Sequence, residues 1–308
     1  MKIFQWLPGP VQGVLSLAAL FVNTVFWTTP LFVATFLKFI VPVDSWRRFW
    51  GRFSNWLAMK WVFVNNLAIR MTKSIHWDVS GIAGLDPKGW YLVMSNHQSW
   101  LDIVVLQKVF YKKIPFLKFF LKKNLIWIPL LGQAWWALDF PFMKRHSRAY
   151  LEKHPERKGE DLETTRRACA KFKNIPVSVM NFVEGTRFTL EKARKQGSPY
   201  AGLLKPKAAG VAFVLGAMGD QLSSILNVTI SYPNSAKGLW AFMCGRVRRI
   251  KVRVETIPIT PELLGDYFRD HEYQRRFQEW LNTIWDQKDE LMLTMAERPR
   301  LSAPATAR

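Results

Sequence analysis

Cysteine is almost missing from this 308-residue chain: Cys169 and Cys244 stand far apart. That excludes a disulfide framework, gives no zinc-ligand spacing, and fits a reducing compartment. Acidic residues are in deficit too, 23 Asp and Glu against 44 Lys and Arg, for a formal net charge of +21. A field of that sign turns away cationic partners and favours anionic ones, such as nucleic acid, anionic lipid headgroups or an acidic soluble protein. No nucleotide-binding loop, metal-ligand cluster or serine–histidine triad motif stands out, so the sequence implies no cofactor and no metal. Internal repeats and low-complexity blocks are also missing.

Charge itself is missing from residues 11–37. As one helix this run extends roughly 40 Å, more than a bilayer core of about 30 Å. Asn23, Thr24 and a break at Thr28-Thr29-Pro30 complicate a simple span. Thr29 is placed to cap a second helix with Pro30 in its first turn. The expectation is therefore two arms, the second too short to cross, with a hairpin dipping into one leaflet as the alternative to a span. Only Lys2 resembles a basic leader region and no small-x-small cleavage site follows, so a cleaved signal is the lesser reading. Arg47, Arg48 and Arg52 follow the apolar run and set that flank, with the chain behind it, on the cytoplasmic side. Residues 54–70 read as an interfacial helix.

What is plentiful agrees with this. Apolar residues make up 49% of the chain, with 15 Trp and 22 Phe. Several aromatics neighbour cations, as in Trp46-Arg47-Arg48-Phe49-Trp50, a pairing suited to an anionic membrane surface. Nucleic acid is not an expected partner, because it explains the charge but not the uncharged run.

Beyond residue 72 the pattern alternates. Strands are expected at 90–95, 135–143, 176–183, 225–232 and 250–257, and helices at 99–110 and 159–172. A long polar helix over 270–295 carries Phe277, Trp280, Leu281 and Ile284 on one face. This is an α/β fold with a mixed, largely buried sheet flanked by helices and preceded by a membrane-embedded helical segment. The expected divisions are residues 1–72 for anchoring and interfacial helices, 73–260 for the α/β domain, and 261–308 for a C-terminal helix and tail.

Two strand ends carry chemistry. In Asn96-His97-Gln98-Ser99-Trp100-Leu101-Asp102 an apolar strand ends, presents a histidine and turns into a helix. Histidine can take a proton near neutral pH, and a carboxylate can fix its tautomer and stabilise the imidazolium. The spacing of five works only if His97 precedes the helix. Ser99-Trp-Leu-Asp102 also matches a capping box, so Asp102 has a second reading as a helix cap. In Phe182-Val183-Glu184-Gly185-Thr186-Arg187 another apolar strand ends in a polar turn. Gly185 permits a tight turn. Arg187 can grip a phosphate with two parallel hydrogen bonds, with Glu184 holding its guanidinium. The plainer reading is a surface turn with an ion pair.

Together, an NHxxxxD segment followed about 80 residues later by FxEGTR resembles the glycerolipid acyltransferase family, of the lysophosphatidic acid acyltransferase type, over roughly residues 75–260. The resemblance implies that His97 is the general base and Asp102 its partner. It implies that Glu184, Gly185, Thr186 and Arg187 bind the acceptor's phosphate. Two weaker blocks add Arg145, with Lys144 close behind, and Lys205, with Lys207, as further phosphate contacts. The implied reaction moves an acyl group from acyl-CoA or acyl carrier protein to the free hydroxyl of a membrane lysophospholipid. The leading acceptor is 1-acyl-glycerol-3-phosphate; lysophosphatidylglycerol and lysocardiolipin are alternatives. A bacterial inner membrane, with the catalytic domain facing the cytoplasm, is the expected location. A non-catalytic basic membrane-surface protein is the rival class, and it leaves both motifs at strand ends unexplained.

Overall fold

The computed structural model describes residues 6–143, 175–233, 238–267 and 269–296. The expected helix at 159–172, together with Lys144 and Arg145, lies outside the described residues.

The chain opens with two long helices, α1 (Gly9–Ile40) and α2 (Asp44–Thr72), packed as a hairpin. The expected break in α1 is absent, and Pro30 sits inside a continuous helix. A proline there forfeits one backbone hydrogen bond at a cost of about 3 kcal/mol. Packing of both halves against α2 outweighs that loss. In α1 polar side chains turn towards α2 while large apolar ones face outward. Asn23 Nδ2 donates to Trp61 O (3.2 Å) and Asn65 Oδ1 (2.8 Å), and Trp61 Nε1 donates to Thr24 Oγ1 (3.1 Å). Thr28, Thr29 and Thr35 return hydroxyl bonds to carbonyls one turn back. Phe21, Val22, Phe26, Val33 and Phe36 face outward. This inverts the pattern of a water-soluble helix. Among the described residues, α1 is the helix long and apolar enough to cross a membrane.

The α/β region holds a six-stranded sheet in the order β1-β8-β7-β2-β6-β3. Its strands are β1 (His76–Ser80), β2 (Tyr91–Ser95), β3 (Leu117–Phe119), β6 (Ser178–Phe182), β7 (Ser224–Ser231) and β8 (Arg249–Ile257). Neighbours run parallel except β7 and β8, so the sheet is mixed, as expected. β2 and β7 are buried along their whole lengths. Helix-covered parallel strands read this way, as unbroken apolar runs.

Alternate residues of β2 enter different cores. Tyr91 and Val93 join Leu101, Val105 and Leu106 of α3 (Leu101–Val109), with Leu31, Ala34, Leu57 and Ile69 of the hairpin. Leu92 and Met94 join helix α6 (Ala208–Met218) and helix α8 (His271–Ala296), the latter through Phe277, Leu281 and Ile284. The sheet is therefore covered on both faces. Of the 15 tryptophans only Trp285 is fully buried; Trp6, Trp56, Trp100, Trp127, Trp136 and Trp240 are exposed.

One expected strand fails. Residues 135–143 do not form a single strand: helix α4 covers Leu131–Ala137, and a short strand β5 (Phe142–Met143) pairs with β4 (Leu121–Lys122). Ala134, Ala137 and Leu138 turn inward at helical spacing, and Gly132 lets the helix approach closely. A Cβ there would lie 2.2 Å from the Ile126 carbonyl oxygen. Lys38 of α1 bonds Asp139 at 2.7 Å and Phe39 stacks on Trp136, which ties this segment to the hairpin.

Candidate active site

β2 ends at Ser95, and Asn96 extends the sheet with its side chain. Its Oδ1 accepts from Ile230 N and its Nδ2 donates to Ile230 O, both at 2.9 Å. The backbone is thereby released to turn, and His97 lies in the loop before α3, where the dyad requires it.

His97 Nδ1 is 2.8 Å from Asp102 Oδ2. The same oxygen accepts from Gln98 N (2.7 Å) and Ser99 N (2.8 Å), while Oδ1 accepts from Tyr232 Oη at 2.5 Å. Asp102 is fully buried. It is cap and histidine partner at once, so the two readings are not alternatives. Three donors converge on Oδ2, so Nδ1 joins them as an N–H and Nε2 is left with the lone pair. Nε2 has no hydrogen-bond partner among the described residues. The ring stacks on Phe182, centroids 3.8 Å apart and planes 15° apart, which fixes its orientation. Burial and the neighbouring Asp102 carboxylate push the Tyr232 hydroxyl well above its ordinary value, so it remains a donor.

The second motif grips the first through its backbone. Glu184 Oε1 accepts from His97 N and Oε2 from Leu204 N, both at 2.8 Å, and Phe188 N donates to His97 O at 2.7 Å. The expected hold of Glu184 on the Arg187 guanidinium is not made. Glu184 points inward because two buried N–H groups would otherwise lack acceptors. Burial pushes its carboxyl up to about 7, against the pull of those two bonds.

Gly185 has a φ of +69°, and its N–H donates to Phe182 O at 2.8 Å, so the turn is tight as expected. Lys192 Nζ closes it by donating to Thr186 Oγ1 (2.9 Å) and Arg187 O (3.0 Å). The Arg187 side chain is exposed and lies over the Trp100 indole, 4.7 Å from its centroid. The Lys207 side chain passes over Gly185, near enough that a Cβ on that glycine would sit 3.4 Å from Nζ. Lys205 is exposed.

The structure thus brings His97, Asp102 and Glu184–Arg187 together at the ends of β2 and β6. Sequence reasoning missed Tyr232, the stacking role of Phe182 and the clamp made by Asn96. Asn96 and Phe182 stand inside the motifs and were legible as polar and aromatic punctuation. Tyr232 follows β7, and only its place after a buried strand marks it.

Comparison with known proteins finds similarity across the region that holds both motifs. Residues 76–224 match the family model described as Acyltransferase. A 2-acyl-1-lysophosphatidylinositol acyltransferase of Saccharomyces cerevisiae is 24% identical over 242 residues, covering 65% of this chain and 60% of that protein. The human 1-acyl-sn-glycerol-3-phosphate acyltransferase gamma is 23% identical over 181 residues, covering 55% of this chain and 43% of that protein. The chain thus spans less than two thirds of the length of either relative. Among solved structures, the 1-acyl-sn-glycerophosphate acyltransferase PlsC of Thermotoga maritima aligns with a TM-score of 0.48 and 18% identity, over 90% of this chain and 95% of that one. The stretch similar to the Acyltransferase family model, residues 76–224, contains both motifs.

Proposed function

We propose that the chain transfers a fatty acyl group from acyl-CoA or acyl carrier protein to the free hydroxyl of a lysophospholipid, with 1-acyl-glycerol-3-phosphate as acceptor and phosphatidic acid as product. The observation that carries this reading is the His97–Asp102 pair at 2.8 Å, with Nε2 unpartnered among the described residues and an exposed Arg187 over Trp100 in the second motif. Nε2 removes the proton from the acceptor hydroxyl as its oxygen attacks the thioester carbonyl. The tetrahedral intermediate then expels the thiolate, which receives the proton back from the imidazolium. Asp102 balances the charge that His97 carries between these steps. General base catalysis of this kind contributes about 10²–10⁴-fold, and positioning and oxyanion stabilisation supply the rest. A thioester is already activated, so no enzyme nucleophile is required.

Arg187, with Lys205 and Lys207, supplies the cations for the acceptor phosphate. Gly185 and Thr186 shape the turn, and Glu184 organises it from within. Arg145 is retained as a further phosphate contact. The outward apolar face of α1 seats the protein in an anionic membrane where the acceptor resides. The basic flank at Arg47, Arg48 and Arg52 supports a catalytic face towards the cytoplasm, and a bacterial inner membrane is the proposed location. Acyl-CoA and acyl carrier protein are both acidic, and the basic surface speeds their approach.

The test is turnover of the detergent-purified full-length chain against a panel of lysolipids with one acyl-CoA. Lysophosphatidic acid, lysophosphatidylglycerol, lysocardiolipin and lysophosphatidylinositol should all be included. Acylation of lysophosphatidic acid above the others, lost by several orders of magnitude in His97→Ala, is expected. Equal turnover by parent and His97→Ala overturns the role of His97, and preference for another lysolipid reassigns the acceptor.

A further inference from the structure

Between β4 and β5 the chain raises a short apolar finger beside the C-terminal end of α1. A 3₁₀ turn over Lys123–Trp127 leads through Ile128, Pro129 and Leu130 into α4. Trp127 is 81% exposed, and Ile128 and Pro129 after it also face solvent. A lone exposed apolar side chain is ordinary on a protein surface, but three in succession at one tip are not. Lys122 and Lys123, both exposed, stand at its base.

The tip is held out by its own framework. Leu130 has a φ of +63° and a ψ of −52°, and Leu131 N donates back to Pro129 O at 2.7 Å, which closes a γ-turn of the strained hand. A leucine keeps that conformation where its surroundings enforce it. Gly132 N donates to Ile128 O (2.8 Å), Ala134 N to Leu130 O (2.9 Å) and Gln133 Nε2 to Ile126 O (3.0 Å). A braced, strained tip that turns its apolar side chains away from both cores buries nothing within the fold, which points to an occupant outside the chain.

Continuity identifies that occupant. Trp136, half exposed on α4, stacks on Phe39 of α1 with centroids 5.6 Å and planes 23° apart, and Lys38 bonds Asp139 at 2.7 Å. Phe36, Phe39 and Ile40 are exposed at that end of α1, so its outward apolar face continues onto α4 through this stack. Tryptophan rings beside lysines match the headgroup level of an anionic bilayer. The finger also lies at the reacting end of the fold. β2 and β3 both run parallel to β6, so the chain leaves β3 at the end of the sheet where His97 stands.

We propose that Trp127, Ile128 and Pro129 insert into the leaflet that receives the outward face of α1, as a second membrane contact at the reacting end of the sheet. The proposal rests on the seating of α1 proposed above and not on acyl transfer.

The test uses the full-length chain with Cys169→Ser and Cys244→Ala, spin-labelled at one introduced cysteine, in vesicles of phosphatidylethanolamine and phosphatidylglycerol. Ile128→Cys reports the finger, Phe26→Cys the outward face of α1, and Asp220→Cys an exposed site beyond α6 as the aqueous reference. Oxygen concentrates in hydrocarbon while a polar nickel chelate stays in water, so the oxygen-to-nickel accessibility ratio at Ile128 should exceed that at Asp220 by roughly tenfold. Trp127→Cys gives the same reading if Ile128→Cys does not fold. A ratio at the finger equal to that at Asp220 overturns the proposal. A label shielded from both reagents also overturns it, and dipolar coupling between labels then assigns the tip to a second copy. An aqueous Phe26 label with a lipid-exposed Ile128 label refutes the seating of α1 and leaves the finger standing; the opposite pair of results removes the finger and keeps the seating.

Discussion

Replacing Asp102 by Asn separates the charge of the dyad from its geometry, because the surroundings of Asp102 dictate how an amide must lie. Three donors, His97 Nδ1–H and the N–H groups of Gln98 and Ser99, meet at Oδ2 within 2.8 Å. An amide nitrogen facing them would oppose two backbone donors, so the Asn carbonyl takes that place and the NH₂ turns towards Tyr232. His97 then keeps its proton on Nδ1 and its lone pair on Nε2. The negative charge opposite the imidazolium is lost, and the buried Tyr232 hydroxyl exchanges its acceptor for a donor. Two unit charges about 4 Å apart interact by about 4 kcal/mol at an effective dielectric near 20, close to a thousandfold in rate. The expected outcome is a fall in kcat of about 10³, with KM for both substrates near parental values and a melting temperature that falls less than in Asp102→Ala. Asp102→Ala should differ in kind. It strands two backbone N–H groups and the Tyr232 hydroxyl, at about 1–3 kcal/mol for each buried group, so its melting temperature should fall as well. Steady-state acyl transfer and thermal melting in detergent measure both. Turnover of Asp102→Asn within about threefold of the parent would refute the reasoning, leaving Asp102 as a cap that Asn replaces well.

Tyr232→Phe removes the 2.5 Å bond to Asp102 Oδ1 and should lower kcat with little change in either KM; an unchanged kcat would show that Asp102 needs no second anchor. Arg187→Lys retains charge but not the planar fork. It should raise KM for a phosphate-bearing lysolipid more than for the acyl donor, and equal losses with a phosphate-free acceptor would make Arg187 a holder of the turn. Glu184, raised to about 7 by burial, sets opposed pH slopes. As an acid with a raised folded value, it favours the fold below its ordinary pKa of 4.5, and that contribution is lost as pH rises through about 7. The melting temperature should therefore carry a declining component across that window while turnover, which needs the ionised carboxylate, climbs. A Glu184→Gln variant that keeps the same decline would refute the assignment to Glu184.

What was legible in the sequence follows the range of each interaction. β2, β6 and β7 were readable because burial on both faces writes them as apolar runs, and β8 because buried Ile250, Val252 and Val254 alternate with charged residues. His97 and Asp102 were readable because five residues suffice to state the pair. The aromatic segment at 135–143 misled, since a short apolar run carries no period long enough to separate strand from helix. Thr28-Thr29-Pro30 misled for a different reason: its local signal is a helix start, and packing of α1 along α2 overrides it. Tyr232 was out of reach, because it meets its partner across 130 residues. The inward turn of Glu184 was also hidden, since nothing in Glu-Gly-Thr-Arg says that two distant N–H groups need its oxygens.

The two-ended bond between Asn96 and Ile230 has a consequence for anyone who would move this chemistry elsewhere. An amide with one acceptor and one donor is matched to the C=O and N–H of a single residue on a neighbouring strand. Aspartate offers no donor, and serine is too short to span both groups. A graft that copied only His97 and Asp102 onto another parallel sheet would acquire a well-capped helix and a loosely held imidazole. The smallest transferable unit is therefore two strands wide: Asn96 at the end of one, and on the next an unobstructed backbone residue in the register of Ile230.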